Sequence, residues 1–444
     1  MNDYFEKAKH FLSKQSVDAW ELFWTTSESF KVEVRQSHVD SFKRSRLGGM
    51  SVRVINEGSL GFSFCSLSDM ANIEKTIINA VEMAGVMPAD ELPSFSTNDD
   101  NYAKKTGLLN QKLVDAEEKD KIEIARIIEN EAYKYDSRIT VARSCGYSDS
   151  ITSVTLTNSL GLDVNDEFGV CSAWVELMAE ASGEQETAYW FEQNRDPFKL
   201  DPPFIAHKAA KRAIHSLGGK TMESGNVPAI FENITASGLL SVLSNSFVAE
   251  NHFKRTASPI VTEGAELFSK KLKIIDDGGD TRGEYARSFD GEGSSTQRTV
   301  VVDHGVVNSW LYDRYYGAKF NHPSTGNSLR SGFELPPNTG TTNFYVEPGH
   351  LSLDEMIAQI TNGILITEVM GLHTANPVSG DFSLGISGFK ITNGNIDHPV
   401  KGIAIAGNLI DLFKGVSDVG NDFGFFGNIG ACSLLCENIC LSGS

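Results

Sequence analysis

TEVMGLHTANPVSGDFS, residues 367–383, is the segment whose composition says most about the architecture. It places glycine, asparagine and proline between two apolar runs, a pattern typical of a loop between strands. Asn376–Pro377 predicts a turn, and Gly380–Asp381 predicts a second turn or a backbone cap. The surrounding sequence is rich in Gly, Asn and Thr and carries short strand-like runs, such as residues 402–406. This part of the chain therefore predicts mainly β-structure.

The first half of the chain predicts longer elements. Residues 30–34 alternate between apolar and polar side chains, as strands do. Ile124, Ile128 and Ala132 repeat at helical spacing and predict a helix over about 115–135. Strands and helices do not follow a strict βαβ order, so the sequence predicts an α+β fold with mostly antiparallel sheets.

A glycine pair, Gly218–Gly219, marks the predicted domain boundary. The N-terminal domain, residues 1–220, is predicted to combine antiparallel strands with long helices. The C-terminal domain, residues 221–444, is predicted to be rich in antiparallel β-structure, with a helix at about 235–247.

Charge and apolar pattern argue against two kinds of partner. The formal net charge of −19 argues against a basic surface of the kind that nucleic acids require. No segment approaches the roughly 20 apolar residues of a membrane span. The first residues, MNDYFEK, lack the basic and apolar blocks of a signal peptide, and six cysteines are spread over the chain. We therefore expect a cytoplasmic protein that binds neither nucleic acid nor membrane.

Several catalytic motifs are missing from the sequence. Gly218–Thr221 resembles the end of a phosphate-binding loop, but Ile214 stands where that loop needs a glycine. The chain contains neither His-Glu-x-x-His nor His-Glu-x-x-x-His, so no single helix supplies the two histidines of a zinc peptidase. Cys432, Cys436 and Cys440 are predicted to lie buried on one face of a terminal strand, with a redox or metal role as the alternative.

Ordered motifs over most of the chain resemble the TldD/PmbA family, once called modulators of DNA gyrase. FDGEG at 289–293 followed by TQRT at 296–299 is similar to the family's Asp-x-Glu-Gly and Thr-x-Arg-Thr signature. NFYVEPG at 343–349 is similar to the strand and turn before the family's late helix. Residues 367–383 most resemble the PmbA/TldE branch.

The resemblance also indicates which kind of subunit this is. In the zinc-bearing TldD subunits, a helix after the domain junction carries His-Glu-x-x-x-His, and a late cysteine adds a ligand. The matching helix here places Ser241, Val242 and Asn245 at the motif positions, and the late-cysteine segment, residues 420–423, has no cysteine. The chain thus resembles the metal-free TldE/PmbA subunit, with no catalytic residue, metal or cofactor of its own.

The resemblance implies that this chain forms a cytosolic heterodimer with a TldD-like subunit that carries zinc. Together the two chains would enclose a cavity and cleave unfolded peptides, and the isolated chain would be inactive or form a homodimer. The alternative is a homodimeric peptide-binding or regulatory protein that acts on a partner such as gyrase. A metal-independent hydrolase using His373, Asp381 or a cysteine is a third reading.

The candidate cavity-lining residues are His373, Asn376, Asp381 and Arg298. His373 is expected to contact the substrate or the partner's site, or else to hold the loop together. Asp381 is also a candidate backbone cap, and Arg298 a candidate ion-pair partner of Asp313.

Overall fold

The computed structural model describes residues 2–90, 94–97 and 104–443. Helices pack against extensive, largely antiparallel sheets, so the α+β prediction is confirmed. Within the described ranges, no helix is both long and apolar enough to cross a membrane.

The N-terminal half is built on one antiparallel sheet of six strands. The strands are β1 Ala19–Arg35, β2 His38–Asn56, β3 Ser59–Ser66, β4 Ile139–Asn158, β5 Asp163–Ala181 and β6 Glu184–Asn194. The helices are α1 Asn2–Leu12, α2 Ile73–Ala84, α3 Gln111–Asp115, α4 Glu118–Tyr135 and α5 Pro202–Ser216. Tight turns join the three strands within each of the sets β1–β3 and β4–β6, helices lie between β3 and β4, and the spatial order is β3-β2-β1-β4-β5-β6.

The two halves of this sheet repeat one order of elements. A helix, three hairpin-linked strands and a second helix occur as α1-β1-β2-β3-α2 and again as α4-β4-β5-β6-α5. β1 and β4 pair antiparallel at the centre, which relates the halves by an approximate two-fold rotation. Ile124, Ile128 and Ala132 of α4 are buried against the sheet, as their spacing predicts.

The C-terminal half has many shorter strands. They are β7 Gly225–Phe231, β8 Ile274–Asp277, β9 Arg298–Asp303, β10 Val306–Val307, β11 Ser328–Leu329, β12 Asn338–Thr339, β13 Phe344–Val346, β14 Asn362–Met370, β15 Asp381–Thr392, β16 Asn395–Asn408, β17 Val416–Val419, β18 Gly424–Phe426, β19 Ile429–Ala431 and β20 Leu434–Ser442. The helices are α6 Asn233–Ser244, α7 Ala249–Phe253, α8 Arg314–Lys319, α9 Leu353–Ala358 and α10 Leu409–Lys414.

Five of these strands close into a barrel. β16, β15, β14, β7 and β20 are neighbours in that order, and β16 pairs with β20 through Ala404↔Ser442 and Ile405↔Leu441. A second sheet has the order β10-β9-β8-β13-β19-β18. Leu239, Leu240 and Leu243 of α6 are buried in the core that joins barrel and sheet.

The three late cysteines do not share a face. β20 pairs with β7, and the register shifts between Cys436 and Ile439. Because side chains alternate along a strand, the extra residue at this shift turns the side chains after it to the opposite face. Cys436 is buried and Cys440 is exposed, so the prediction of one shared face is wrong.

A buried ion cluster connects the two halves of the chain. Arg53 of β2 donates to Glu21 of β1 at 2.6 and 2.8 Å and to Glu292 at 3.2 Å. Arg330 donates to the same Glu21, to the carbonyl of Gly291 and to Ser51. The FDGEG motif therefore fastens the C-terminal half to the N-terminal sheet.

Candidate functional site

Helix α6 has one buried face and one exposed face. Its leucines pack into the core, while Ser241 and Asn245 are exposed and Val242 is half-buried. The helix begins after Glu232, and the Thr235 hydroxyl donates to the carbonyl of Glu232 at 2.7 Å. The exposed face thus stands on a rigid element above an apolar core.

The residues of this face do not fit a zinc ion. Zinc sites in proteins use thiolate, imidazole and carboxylate donors, whereas this face offers a hydroxyl, an isopropyl group and an amide. The Asn245 amide donates to the carbonyl of Val242 at 3.3 Å. The motif His-Glu-x-x-x-His spans six residues, so a motif that starts at Ser241 ends at Ser246, one position after the predicted Asn245. Ser246 is buried, and its hydroxyl is no better a zinc ligand than the Asn245 amide.

Metal-ligating side chains do not cluster elsewhere in the described ranges. In the part of the chain that the structure describes, no group of three or more His, Cys, Asp or Glu side chains is placed to hold a metal ion.

The segment that resembles the late-cysteine position lies at the start of α6. The Asn233 amide donates to the carbonyl of Asp422 at 2.7 Å, so residues 420–423 contact the helix. The Asp422 carboxylate accepts from both the backbone N–H and the hydroxyl of Ser433, at 2.8 and 2.7 Å. Nearby Cys432 is fully buried, and burial raises the pKa of its thiol to about 12. A thiol with so high a pKa is unreactive at neutral pH.

The loop between β14 and β15 is held by its own hydrogen bonds. Gly371 has a φ of 85°, and the amide and hydroxyl of Thr374 both donate to its carbonyl at 2.8 Å. The Asn376 carboxamide oxygen accepts from the N–H groups of Val378 and Ser379, at 2.8 and 3.1 Å. The turn predicted at Asn376–Pro377 is confirmed, and Asn376 acts as its internal brace.

Asp381 closes the same loop. Its carboxylate accepts from the Asn408 amide at 3.0 Å, and Asn408 also donates to the carbonyl of Ser379 at 2.7 Å. The hydrogen bond from Asn408, with a second from Ser379, lowers the pKa of Asp381. A carboxylate that ties the loop to Asn408 at the start of α10 has a structural role.

His373 lies on the exposed side of a short 3₁₀ helix, Leu372–Thr374, in this loop. Its neighbour Leu372 packs against α6 at Gly238, where a Cβ atom would lie only 2.7 Å from the leucine's Cδ1. The absence of a side chain at Gly238 thus allows the loop to approach the helix closely. His373, Asn376 and Asp381 therefore share one loop, which contacts α6 through Leu372.

Arg298 lies elsewhere. It is in β9 of the second sheet, exposed, and its guanidinium donates to Glu347 at 3.2 Å. Asp313 instead caps α8 by accepting from the N–H of Tyr316, and accepts from the Thr339 hydroxyl at 2.6 Å. The predicted Arg298–Asp313 ion pair is wrong because each group has a different local partner.

A groove of 210 Å³ continues the site between two strand edges. β14 pairs with β7 as far as Ile366↔Phe231, so residues 367–370 run on after β7 has turned into α6. The other wall is residues 187–189 of β6, the edge strand of the N-terminal sheet. Ile234 of α6 and Leu372 of the loop also line the groove.

Arg212 of α5 fixes the position of these walls. Its guanidinium donates to the buried carboxylate of Glu232 and to the carbonyl of Thr367 in β14. Lys208 donates to the same carboxylate at 3.1 Å, and both cations lie over the ring of Trp190. We did not predict this network from the sequence, since Arg212 looks like any polar residue on the outer face of a helix.

The chain is similar to known proteins over most of its length. Three regions match domain models described as PmbA/TldA metallopeptidase domain 1 at 20–84, central domain at 112–217 and C-terminal domain at 224–443. The first two lie on the N-terminal sheet and the third covers the barrel and the second sheet. The fold and these matches place the chain among proteins built from PmbA/TldA metallopeptidase domains.

The chain belongs to the PmbA/TldD family, which confirms the resemblance. An uncharacterized protein of Methanocaldococcus jannaschii is 29% identical over 398 residues, 89% of each chain. The metalloprotease PmbA of Escherichia coli O157:H7 is 26% identical, over 97% of this chain and 94% of its own.

Solved structures agree. A proposed modulator of DNA gyrase from Thermotoga maritima is 26% identical with a TM-score of 0.92, covering 99% of this chain and all of its own. TldE from Thermococcus kodakarensis, at 23% identity and a TM-score of 0.89 over the full length of both chains, shares the fold.

Proposed function

We propose that this chain is the zinc-free, TldE/PmbA-like subunit of a cytoplasmic heterodimeric zinc metallopeptidase that cleaves unfolded peptides. The observation that carries the proposal is the exposed face of α6. At the position where zinc-bearing subunits of the family are expected to hold their metal, this face presents Ser241, Val242 and Asn245. A TldD-like partner would then carry the zinc.

The groove beside α6 supports a role in peptide positioning. A strand edge hydrogen-bonds an extended peptide through main-chain groups, so it accepts many sequences. Residues 367–370 of β14 and 187–189 of β6 offer two such edges a groove apart. Main-chain recognition of this kind suits substrates that are selected for being unfolded. A peptide bound in the groove would lie next to the loop that contains His373.

Coexpression with a His-Glu-x-x-x-His homologue from the same genome tests the proposal. We expect native mass spectrometry to show a one-to-one complex, with zinc bound to the partner and cleavage of an unfolded casein-type substrate only by the complex. Chelator-resistant, stoichiometric zinc in this chain alone, or equal peptidase activity without the partner, would overturn it.

The second candidate is a homodimeric peptide-binding or regulatory protein without protease activity. It is favoured by the description of the Thermotoga maritima relative as a proposed gyrase modulator. A stable homodimer that binds unfolded peptides, and that ignores the zinc-bearing homologue when mixed with it, would favour this reading.

A further inference from the structure

A second cavity lies between the N-terminal sheet and the C-terminal half, and it has a volume of 540 Å³. This is within the range of about 300–1,000 Å³ that small-molecule sites occupy. Its lining does not include α6 or the loop that carries His373. It is therefore distinct from the site discussed above.

One wall is a row of side chains across four adjacent strands. Leu47 of β2, Ser27 of β1, Thr152 of β4 and Phe168 of β5 are direct cross-strand neighbours. Phe23 lies further along β1 on the same face, four residues before Ser27. This wall is apolar with a few hydroxyl groups.

The opposite wall comes from residues 285–296, residues 328–335 and Thr342. Phe289 and Phe333 extend the apolar surface there, and both belong to one buried cluster with Phe23. Leu47 and Leu335 are 67% and 62% exposed, so the cavity has an apolar entrance.

Arg287 supplies the charge. Its guanidinium carbon lies 3.2 Å from the ring centroid of Phe168, and Nη1 donates to the carbonyls of Ala286 and Glu284, at 2.7 and 3.3 Å. Among the described residues, no carboxylate lies within the 4 Å of an ion pair with Arg287. Burial, and then the nearby cation Arg195, lower the pKa of Arg287. The nearby carboxylates of Asp166 and Glu284 act in the opposite direction on this pKa, but neither forms a direct ion pair with Arg287 in the described part of the structure. A partly buried cation without a direct ion-pair partner is an unusual feature in a chain of net charge −19.

Of the other charged groups in the lining, Arg330 and Asp290 have partners within the protein. Arg330 is bound to Glu21. The Asp290 carboxylate accepts from the N–H groups of Glu292, Ser294 and Ser328, and burial together with Glu292 raises its pKa. Glu334 is exposed at the entrance.

We propose that this cavity binds a small amphiphile with one carboxylate and an apolar body. The carboxylate pairs with Arg287, and the apolar body packs against Phe23, Phe168 and Phe333. An arginine fork matches a carboxylate in geometry as well as charge, which makes the recognition specific. Two sources share this chemistry: the free C-terminus of an apolar peptide and a medium-chain fatty acid.

Calorimetric titration of the full-length chain with three probes tests the site. The probes are an N-acetylated tripeptide ending in phenylalanine with a free carboxylate, the same tripeptide as its C-terminal amide, and decanoate. We expect the acid to bind about tenfold more tightly than the amide, the effect of one charged hydrogen bond. Tighter binding of decanoate than of the peptide acid would support the site and identify the fatty acid as its source.

Arg287→Gln should abolish the preference for acid over amide. The matched control is Arg282→Gln, which removes an exposed arginine from the same segment that is paired with Asp280. If Arg287→Gln fails to fold, the acid–amide comparison on the unaltered chain still decides.

Equal affinity for acid and amide overturns the proposal. So does the absence of binding by both peptide acid and decanoate at millimolar concentration, or an Arg287→Gln variant that keeps the preference. None of these measurements involves a zinc-bearing partner. A negative result for the cavity would therefore leave the peptidase-subunit proposal untouched.

Discussion

Arg53 and Glu292 are 239 residues apart in the chain, yet their side chains meet at 3.2 Å in the buried junction between the N-terminal sheet and the C-terminal half. Each is 6% exposed. Glu292 also accepts the backbone N–H of Arg314 at 3.0 Å, so it orders the start of α8 as well. Two arginines, Arg53 and Arg330, face two glutamates, Glu21 and Glu292, and the cluster is balanced in charge.

Glu292→Gln tests this cluster. The substitution leaves two buried arginines with one glutamate, and breaking a buried pair in this way costs about 3 kcal/mol or more. We expect a clear decrease in the free energy of unfolding, measured by urea denaturation with tryptophan fluorescence. The control is Glu347→Gln, whose partners Arg298 and Lys273 are 45% and 29% exposed and whose loss should cost less than about 1 kcal/mol. Equal effects of the two substitutions would contradict a special role for Glu292.

Asp313 makes stability depend on pH. Burial, and then the charge of Glu292, raise its pKa from 3.8 to about 6. A carboxyl whose pKa is higher in the folded state holds its proton there, so its stabilising contribution is complete below about pH 4 and is lost as the pH rises through 6. At pH 7.5 the ionised Asp313 therefore weakens the fold.

Asp313→Asn should remove this dependence. Asparagine can still cap α8 through its oxygen, and its NH₂ group can donate to the Thr339 hydroxyl. We expect a gain of up to about 3 kcal/mol at pH 7.5 and little change at pH 4, since each pKa unit is worth about 1.4 kcal/mol. Urea midpoints between pH 4 and 8 would decide, and parallel curves for both proteins would contradict the assignment.

The parts of the structure that the sequence predicts are those set by local pattern. The helical spacing of Ile124, Ile128 and Ala132 correctly predicts the buried face of α4, and Asn376–Pro377 correctly predicts a turn. These features depend on residues within one or two turns of chain.

Features that depend on distant contacts were missed. Barrel closure through Ile405↔Leu441, and the position of Arg53 opposite Glu292, have no signature in the local sequence. Cys440 was misplaced because a single irregularity in β20 reverses the alternation of side chains. The β6–β14 groove was missed for the same reason, since it joins edges from two separate sheets.

The α6 face gives a prediction about zinc. The unaltered chain should contain less than stoichiometric zinc after dialysis, measured by plasma mass spectrometry. A double variant, Ser241→His with Asn245→His, places two imidazoles one helical turn apart on the exposed face and should take up zinc. Uptake by the unaltered chain at the level of the double variant would contradict the reading of α6 as metal-free.

Arg212 gives a prediction about the groove. Arg212→Ala leaves the buried carboxylate of Glu232 with Lys208 as its remaining ion-pair partner and releases the carbonyl of Thr367. We expect a loss of about 2–3 kcal/mol in unfolding free energy and weaker binding of unfolded peptide, measured by fluorescence anisotropy. Lys211→Ala, which removes an exposed cation from the same helix, is the control and should change neither. Normal peptide binding by Arg212→Ala would contradict a role for Arg212 in forming the peptide-binding groove.

His373 gives the sharpest test of the loop. It is exposed in a short 3₁₀ helix, so His373→Ala should change the free energy of unfolding by no more than about 0.5 kcal/mol. Asn376→Ala removes the brace of the turn and should cost about 1 kcal/mol through two lost hydrogen bonds. If His373 contacts peptide or partner, its substitution lowers kcat/KM of the reconstituted complex several-fold at unchanged stability. Asn376→Ala lowers both activity and stability together. An unchanged kcat/KM for His373→Ala would leave the loop as scaffold and remove this histidine from the site.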